Sequence, residues 1–395
     1  MIKRKKKNKE HNPFYDPTLK KRHVSAKRFK KFTLTSLIFS VAFLAFFLFD
    51  MIGKGIPAFN IAYVKVDVTF NEKTLEDTRF AVPTEYRNLV SRAALRDLPK
   101  LLEENPTYMN STQNIWILAS SQVDQYIKNH NHNLKDKDIA KVDELYAQGL
   151  IDKKFNAIFF ENGDSKIPEY AGIFSAVIGS ILTLIITMAV AFPIGVMTAI
   201  YLEEFAGDNK FTRFIEININ NLAAIPSILF GLLGLAIFIN LFGMPRSSPL
   251  VGGLTLALMT LPIIIVSSRA ALRAVPDSIR QAGYGLGLNK IQVTRDHVLP
   301  FAFPGIMTGS IIGLAQAMGE TAPLIIIGMI AFIPDAPSMV TQAATVMPAQ
   351  LFTWAGMPEG MYIEKTAAGI LVLLTILISL NAIAIYLRKK LEVKW

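Results

Sequence analysis

The chain has 395 residues, of which 51% are hydrophobic and only 18% charged. Soluble domains average about a quarter charged residues, so this composition excludes an ordinary soluble globular protein and points to long apolar runs. The formal net charge is +10 and cysteine is absent, which excludes disulfides and thiolate metal sites without identifying a compartment.

Residues 1–31 hold thirteen Lys and Arg against Glu10 and Asp16. A basic tail can bind nucleic acid. This one ends directly against the apolar run Phe32 to Phe49, and the preference of basic residues for the cytoplasmic side of a membrane explains it more simply. No nucleic-acid partner is expected. The residues that follow the run (Asp50, Met51, Ile52, Gly53, Lys54) lack a small-residue cleavage pattern. Residues 32–53 are therefore expected to be a retained first transmembrane helix with a cytoplasmic N-terminus.

The segment 54–170 holds fifteen Lys and Arg and seventeen Asp and Glu, so it shows no positive bias and is expected outside. Val64, Val66, Val68 and Phe70 alternate with Lys65, Asp67 and Thr69, a period of two that predicts a strand. Segments 84–104, 111–129 and 136–150 mix apolar and charged residues at helical spacing, and Ala157–Phe160 suggests a second strand. About 115 residues suffice for a small α+β domain with its own core. His130 and His132 lack further ligands at convincing spacing, so no metal is expected.

Five further apolar runs lie near 171–202, 221–242, 250–268, 302–333 and 366–387. About 20 apolar residues cross the hydrocarbon, and in lipid such runs must be helices. The two longest must tilt, kink or project, with Pro193 and Pro323 as kink candidates. Six spans return the C-terminus to the starting side, and Arg388, Lys389, Lys390 and Lys394 in the tail 388–395 suit the cytoplasm. The connection 269–301 also falls inside, with Arg269, Arg273, Arg280, Lys290 and Arg295 against Asp277 and Asp296. The connection 203–216 is not basic and does not decide orientation. The expected fold is an all-α polytopic membrane protein: six transmembrane helices, five of them in a core over 171–387, and a small α+β external domain between the first two spans.

A connection of about 30 residues between two membrane helices needs a reason to exist. Pro276, with Asp277 or Ser278 as a cap, can open a short helix in it. Small residues at 282, 283, 285 and 287 let another backbone approach, and Gly287 is placed to end the helix with positive φ. From pattern alone, an interfacial amphipathic segment is the alternative.

The run Gln281-Ala282-Gly283, then Gly287, then Leu299-Pro300 resembles the cytoplasmic coupling loop of ABC-importer permeases. Their pattern is Glu-Ala-Ala, three residues, Gly, nine residues, then Ile-x-Leu-Pro. The spacing matches, while Gln281, Gly283 and His297 depart in identity. The resemblance implies that Gln281, Ala282, Gly283 and Gly287 belong to a short helix fitting a groove on a separate ATPase subunit, whose closure reorients the membrane helices. No G-x-x-x-x-G-K-[ST] phosphate loop occurs in the chain. ATP and Mg are therefore expected on the partner, and this chain is expected to bind no cofactor and to be no enzyme.

Two more stretches extend the likeness. Ala223 to Leu232 (Ala-Ala-Ile-Pro-Ser-Ile-Leu-Phe-Gly-Leu) resembles the third-span signature of phosphate permeases. Gly319-Glu320-Thr321-Ala322-Pro323-Leu324 resembles the fifth-span signature of their PstA-type subunit. The chain is thus similar to the PstA-type permease family of bacterial ABC phosphate importers over about 171–387, with an enlarged external insertion. That family implies an inner-membrane protein with both termini cytoplasmic, a second homologous permease, two ATPase subunits and an external phosphate-binding protein, all in contact with membrane lipid.

Within the spans, Glu320 is the conspicuous residue. A carboxylate at the bilayer centre costs on the order of 3 kcal/mol even on mild insertion scales, so it should face protein or water. Gln316, one turn earlier, is expected on the same face. With Thr321, these residues are the candidate substrate pathway; a structural role within the bundle is the alternative for Glu320, and a bond to its own i−4 carbonyl for Thr321. Many PstA-like members have Arg where this chain has Gln316. Gly305, Gly309, Gly313 and Ala317 repeat every four residues as a stripe for close helix packing. Pro226 and Ser227 are expected to break or kink the third span. Phosphate is the expected substrate; phosphonate, sulfate or molybdate permeases and an ion-coupled secondary transporter are the alternatives.

Overall fold

The computed structural model describes residues 18–330 and 332–391, so over half of the basic segment read at 1–31, and Lys394, lie outside the described residues. Contacts divide the chain into two units, one up to Gly53 and one from Lys54 onward. The first is dominated by helix α1 (Leu19–Gly55) of 37 residues. It starts well before the apolar run, because Lys20 to Lys31 continue the helix. At 1.5 Å per residue it runs about 55 Å, so it outreaches the hydrocarbon. Its apolar side chains are bare, Phe32 at 71% and Phe39 at 72% exposure, as suits a lipid-facing anchor.

The second unit begins with the insertion. Strand β1 (Asn60–Thr69) lies at the centre of a three-stranded antiparallel sheet. Ala62, Val64, Val66 and Val68 all point into the core, with Phe70 beyond them, as the period of two predicts. The short helix α2 (Arg92–Arg96) follows, then β2 (Thr112–Leu118), α3 (Ser121–Ile127), α4 (Asp136–Ala147) and β3 (Ile151–Phe155). β2 and β3 flank β1, pairing Val64 with Ile117 on one side and with Ile151 on the other. The small α+β domain is therefore present, but its strands differ from expectation. The segment 111–129, read as helical, is half strand. Ala157–Phe160, read as a strand, lies in a one-turn helix, Ala157–Glu161, whose cap Asn156 accepts from the Phe159 N–H at 3.2 Å. Short apolar runs do not distinguish the two states by periodicity.

The core is mostly helical. Helix α5 (Phe174–Ile200) runs on through Pro193 and is prolonged by a wide turn to Phe205. Next come α6 (Lys210–Ala223), α7 (Ser227–Gly234) with a wider extension Leu235–Leu241, and α8 (Pro249–Arg273). α8 is the central helix, packed against α5 and against α11, which is reached below. Hydroxyls of Thr183, Thr187, Thr255, Thr260 and Ser310 bond back to carbonyls four residues earlier, which satisfies them inside an apolar bundle. The third span read at 221–242 is corrected: the chain bends by 103° between α6 and α7. α7 with its extension is too short for a full span unless joined to α6. Among the described residues, five helices are long and apolar enough to cross a membrane, or six if this bent pair counts as one.

After α8 come α9 (Asp277–Gly285), α10 (Lys290–Val293), α11 (Leu299–Gly319), α12 (Ala322–Ile326), α13 (Met347–Ala355) and α14 (Gly360–Leu391). α14 joins the insertion to the core through a buried polar seam. Gln125 donates to Glu364 at 2.6 Å, and Lys128 pairs with Asp124 at 2.6 Å and Glu364 at 3.1 Å. His130 also bonds Glu364. The ammonium of Lys365 donates to the carbonyls of Pro168 and Ala171, both at 2.6 Å. Trp354 donates to Asp164 at 2.8 Å.

Candidate functional site

The loop read as the coupling element is built as a helix, a glycine stop and a restart. α9 ends when the Gly287 N–H donates to the Tyr284 carbonyl at 2.9 Å and the Leu288 N–H to the Gly283 carbonyl at 3.2 Å. This double bond pattern needs a left-handed residue, and Gly287 supplies it with φ of +79°. Asn289 and Gln292 then form a reciprocal cap, both bonds at 2.9 Å, that opens α10. α10 continues through Thr294–Val298 into α11. Gln281, Ala282 and Gly287 are exposed. Around them stand bare apolar side chains, Leu286 at 77%, Ile291 at 64% and Tyr284 at 46% exposure. Gly283 is different. It is buried, and a Cβ there would lie 2.9 Å from a Val293 methyl. Its smallness closes the loop on itself and leaves no room for a partner's backbone, a correction to the expectation.

Charge anchors this loop to the rest of the core, and sequence reasoning missed it. Arg280 pairs with Glu204 at 2.6 Å and donates to the carbonyls of Val275 at 2.8 Å and Leu272 at 3.0 Å. Arg269 bonds Glu216 at 2.5 Å and Glu203 at 3.3 Å, and Arg273 reaches Glu203 at 2.7 Å. The signal was available: the connection 203–216 is acidic and the connection 269–301 is basic. Their pairing places both at one end of the bundle and ties α5, α6, α8 and α9 together there.

The other candidate site is a pair of helix breaks. Pro226 occupies the N-cap of α7 and Ser227 is its first residue, so these two positions do mark the bend. α11 ends at Gly319, and Glu320 is extended (φ −77°, ψ 128°) before α12 starts. The expected one-turn relation of Gln316 and Glu320 on a continuous helix therefore fails. Pro323, named as a kink point, instead sits at the start of α12. The two breaks are brought together: a Cβ on Gly231 would lie 2.7 Å from the Pro323 Cα. Gly231 is five residues beyond Pro226, and Pro323 is three beyond Glu320. Gln316 is exposed, and Glu320 and Thr321 are half-buried. None of the three side chains has a hydrogen-bond or ion-pair partner among the described residues, so the backbone bond expected of Thr321 is absent.

The glycine stripe of α11 packs on α8. A Cβ on Gly305 would fall 2.6 Å from the Ala271 Cβ, and one on Gly309 1.9 Å from the Ser267 hydroxyl. Gly313 is looser, 3.5 Å from Ile264. α8, which carries Arg269 and Arg273 at its end, is thus locked against the helix that leads to Glu320.

Residues 191–393 match the family model described as "Binding-protein-dependent transport system inner membrane component". The chain belongs to this family. Residues 16–86 and 81–136 match a second model, "Domain of unknown function (DUF3333)", which covers α1 and much of the insertion. Among curated relatives, the phosphate transport system permease protein PstA of Mycobacterium leprae (strain TN) is 36% identical over 40% of this chain and 52% of its own length. The phosphate transport system permease protein PstA of Yersinia pestis is 30% identical over 61% of this chain and 81% of its own. The chain spans about half the length of the mycobacterial PstA relatives it matches. A solved inward-facing MetNI methionine ABC transporter aligns with a TM-score of 0.43 at 14% identity, covering 56% of this chain and 94% of that one. As a member of the binding-protein-dependent family, the chain is a multi-pass inner-membrane transport component.

Proposed function

We propose that this chain is the non-catalytic permease subunit of an ATP-driven importer of inorganic phosphate. The observation that carries the reading is the coupling loop: exposed and apolar at its tip, anchored by ion pairs at its base. Phosphate rests on the PstA relatives, and on the two signatures, Ala223 to Leu232 and Gly319 to Leu324, meeting at Gly231 and Pro323. A second homologous permease, two ATPase subunits supplying ATP and Mg chemistry, and an external phosphate-binding protein complete the machine. Both termini and the coupling loop face the cytoplasm.

In this mechanism the ATPase pushes on Leu286 and its neighbours. The Arg280–Glu204 pair passes the displacement to α5, and Arg269 and Arg273 hold α8 in the same rigid end. Because Gly305 and Gly309 seat α11 directly on α8, α11 moves with it and shifts the break at Glu320. Helix breaks are where transporter helices reorganise and expose backbone groups to a substrate. Glu320 would not attract an anion by charge. Its carboxylate accepts a hydrogen bond from the P–OH of hydrogen phosphate or pairs with a cation of the second permease.

The test is phosphate uptake into vesicles holding the reconstituted complex. Uptake should require ATP on the side of the coupling loop and be insensitive to sulfate and molybdate. Uptake driven by an ion gradient without nucleotide would contradict the reading.

A further inference from the structure

The insertion contains a cleft of about 570 Å³ lined by Arg87, Arg92, Arg96, Lys135 and Lys166. Two acids share it, Asp138 and Glu169. Glu169 is already engaged: it is buried, and its carboxylate accepts from the Ser121 N–H at 2.5 Å. Burial also pushes its pKa up. Positive charge therefore dominates the cleft.

Two of these cations do little for the fold. Arg92 and Arg96 make no hydrogen bond or ion pair to any described residue. They stand one helical turn apart on α2, where like charges oppose helix formation, and Arg92 sits in the first turn, against the helix dipole. Arg87 is held in place, with its guanidinium 5.1 Å over the Phe80 ring and Nε donating to the Val82 carbonyl at 3.3 Å. The contrast with Arg269, Arg273 and Arg280, all paired with carboxylates, is internal to the molecule. Guanidinium groups gathered without carboxylate partners fit a planar-faced oxyanion, to which they donate two parallel bonds.

We propose that this cleft binds a phosphate-type oxyanion, separately from the path at Glu320, with Arg92 and Arg96 as its principal donors and Arg87 as a fixed third. Free inorganic phosphate and the phosphodiester of an anionic lipid offer the same chemistry. The proposal does not depend on the chain being a phosphate importer.

The experiment uses the purified full chain. In one arm, radiolabelled inorganic phosphate is titrated against the chain in neutral maltoside detergent. In the other, the chain sits in nanodiscs of phosphatidylcholine with or without phosphatidylglycerol, and retained anionic lipid is counted. Wild type should bind in at least one arm. R92Q/R96Q should weaken that binding about tenfold or more, as losing charge-assisted bonds does, and R92K/R96K by less. Both positions are exposed, so the variants should stay folded. Binding in the phosphate arm assigns a free anion, and binding only in the lipid arm assigns a headgroup. Equal binding by R92Q/R96Q and wild type, or none by wild type in either arm, overturns the proposal. So does loss on E320Q with R92Q/R96Q unaffected, which would place the anion in the path and leave the importer reading standing.

Discussion

The two ends of the core treat charge in opposite ways. At the coupling end, Glu203, Glu204 and Glu216 are all paired with Arg269, Arg273 and Arg280. At the helix breaks, Glu320 has no partner within the described chain. Stranding the buried carboxylate of Glu204 would cost several kcal/mol, so the paired end is built to hold one geometry. The unpaired end is left for something outside the chain, or for a substrate, to complete. The difference separates a part that transmits force from a part that changes shape.

Breaking the paired end should have the largest effect. Arg280→Ala strands Glu204, which is 8% exposed, and removes two bonds to carbonyls. It should destabilise the detergent-purified chain by about 3 kcal/mol and abolish ATP-driven uptake. Thermal unfolding and vesicle transport measure both, and wild-type behaviour would show that the pair transmits nothing. Next in size is the contact between α8 and α11. Gly309→Ala adds a Cβ 1.9 Å from the Ser267 hydroxyl, and overpacking of this kind costs about 1–3 kcal/mol. Ser267→Gly in the same chain should recover most of the loss, a coupling a double-mutant cycle detects.

A smaller, pH-dependent effect belongs to the seam of the insertion. Burial pushes the Asp164 carboxyl up to about 6, against the bond from Trp354 that pulls it down. The folded chain thus holds this proton more tightly than the unfolded one. The stability it contributes is complete below about pH 4 and is lost as pH rises through about 6. Asp164→Asn, which keeps the acceptor oxygen, should stabilise by on the order of 1 kcal/mol at pH 7.5 and by almost nothing at pH 4. Unfolding midpoints across that range check the sign. The smallest effect on stability should come from Glu320→Gln, within about 0.5 kcal/mol because no described residue pairs with it. Its uptake rate and pH profile should nonetheless change, and an unchanged profile would remove Glu320 from the path.

Much of this architecture is legible in residue patterns. The long apolar helices, the strand through Val64 and Val68, and the glycine stop at Gly287 follow from period and from backbone chemistry that leaves few alternatives. β2 and β3 are not legible because strands of seven and five residues, the first closing on an unbroken apolar run and the second mostly charged, carry no distinct period. The break at Glu320 was read as helix because apolar residues continue through it, although Gly319 before and Pro323 after are the usual end and start signals. The ion pairs of the coupling end join residues more than 50 positions apart, and only the opposite charge of two connections hinted at them. Gly283 looked like a partner contact because a small residue is the same letter whether it faces outward or inward.

Because the chain has no native cysteine, Leu286→Cys would place a single thiol at the exposed tip of the coupling loop. Its reaction with a membrane-impermeant maleimide tests the central claim. The thiol should label in inside-out vesicles, be protected when the ATPase subunits are bound, and stay unreactive in intact cells. Labelling from the outer face of intact cells would put the loop on the wrong side for any nucleotide-driven motor.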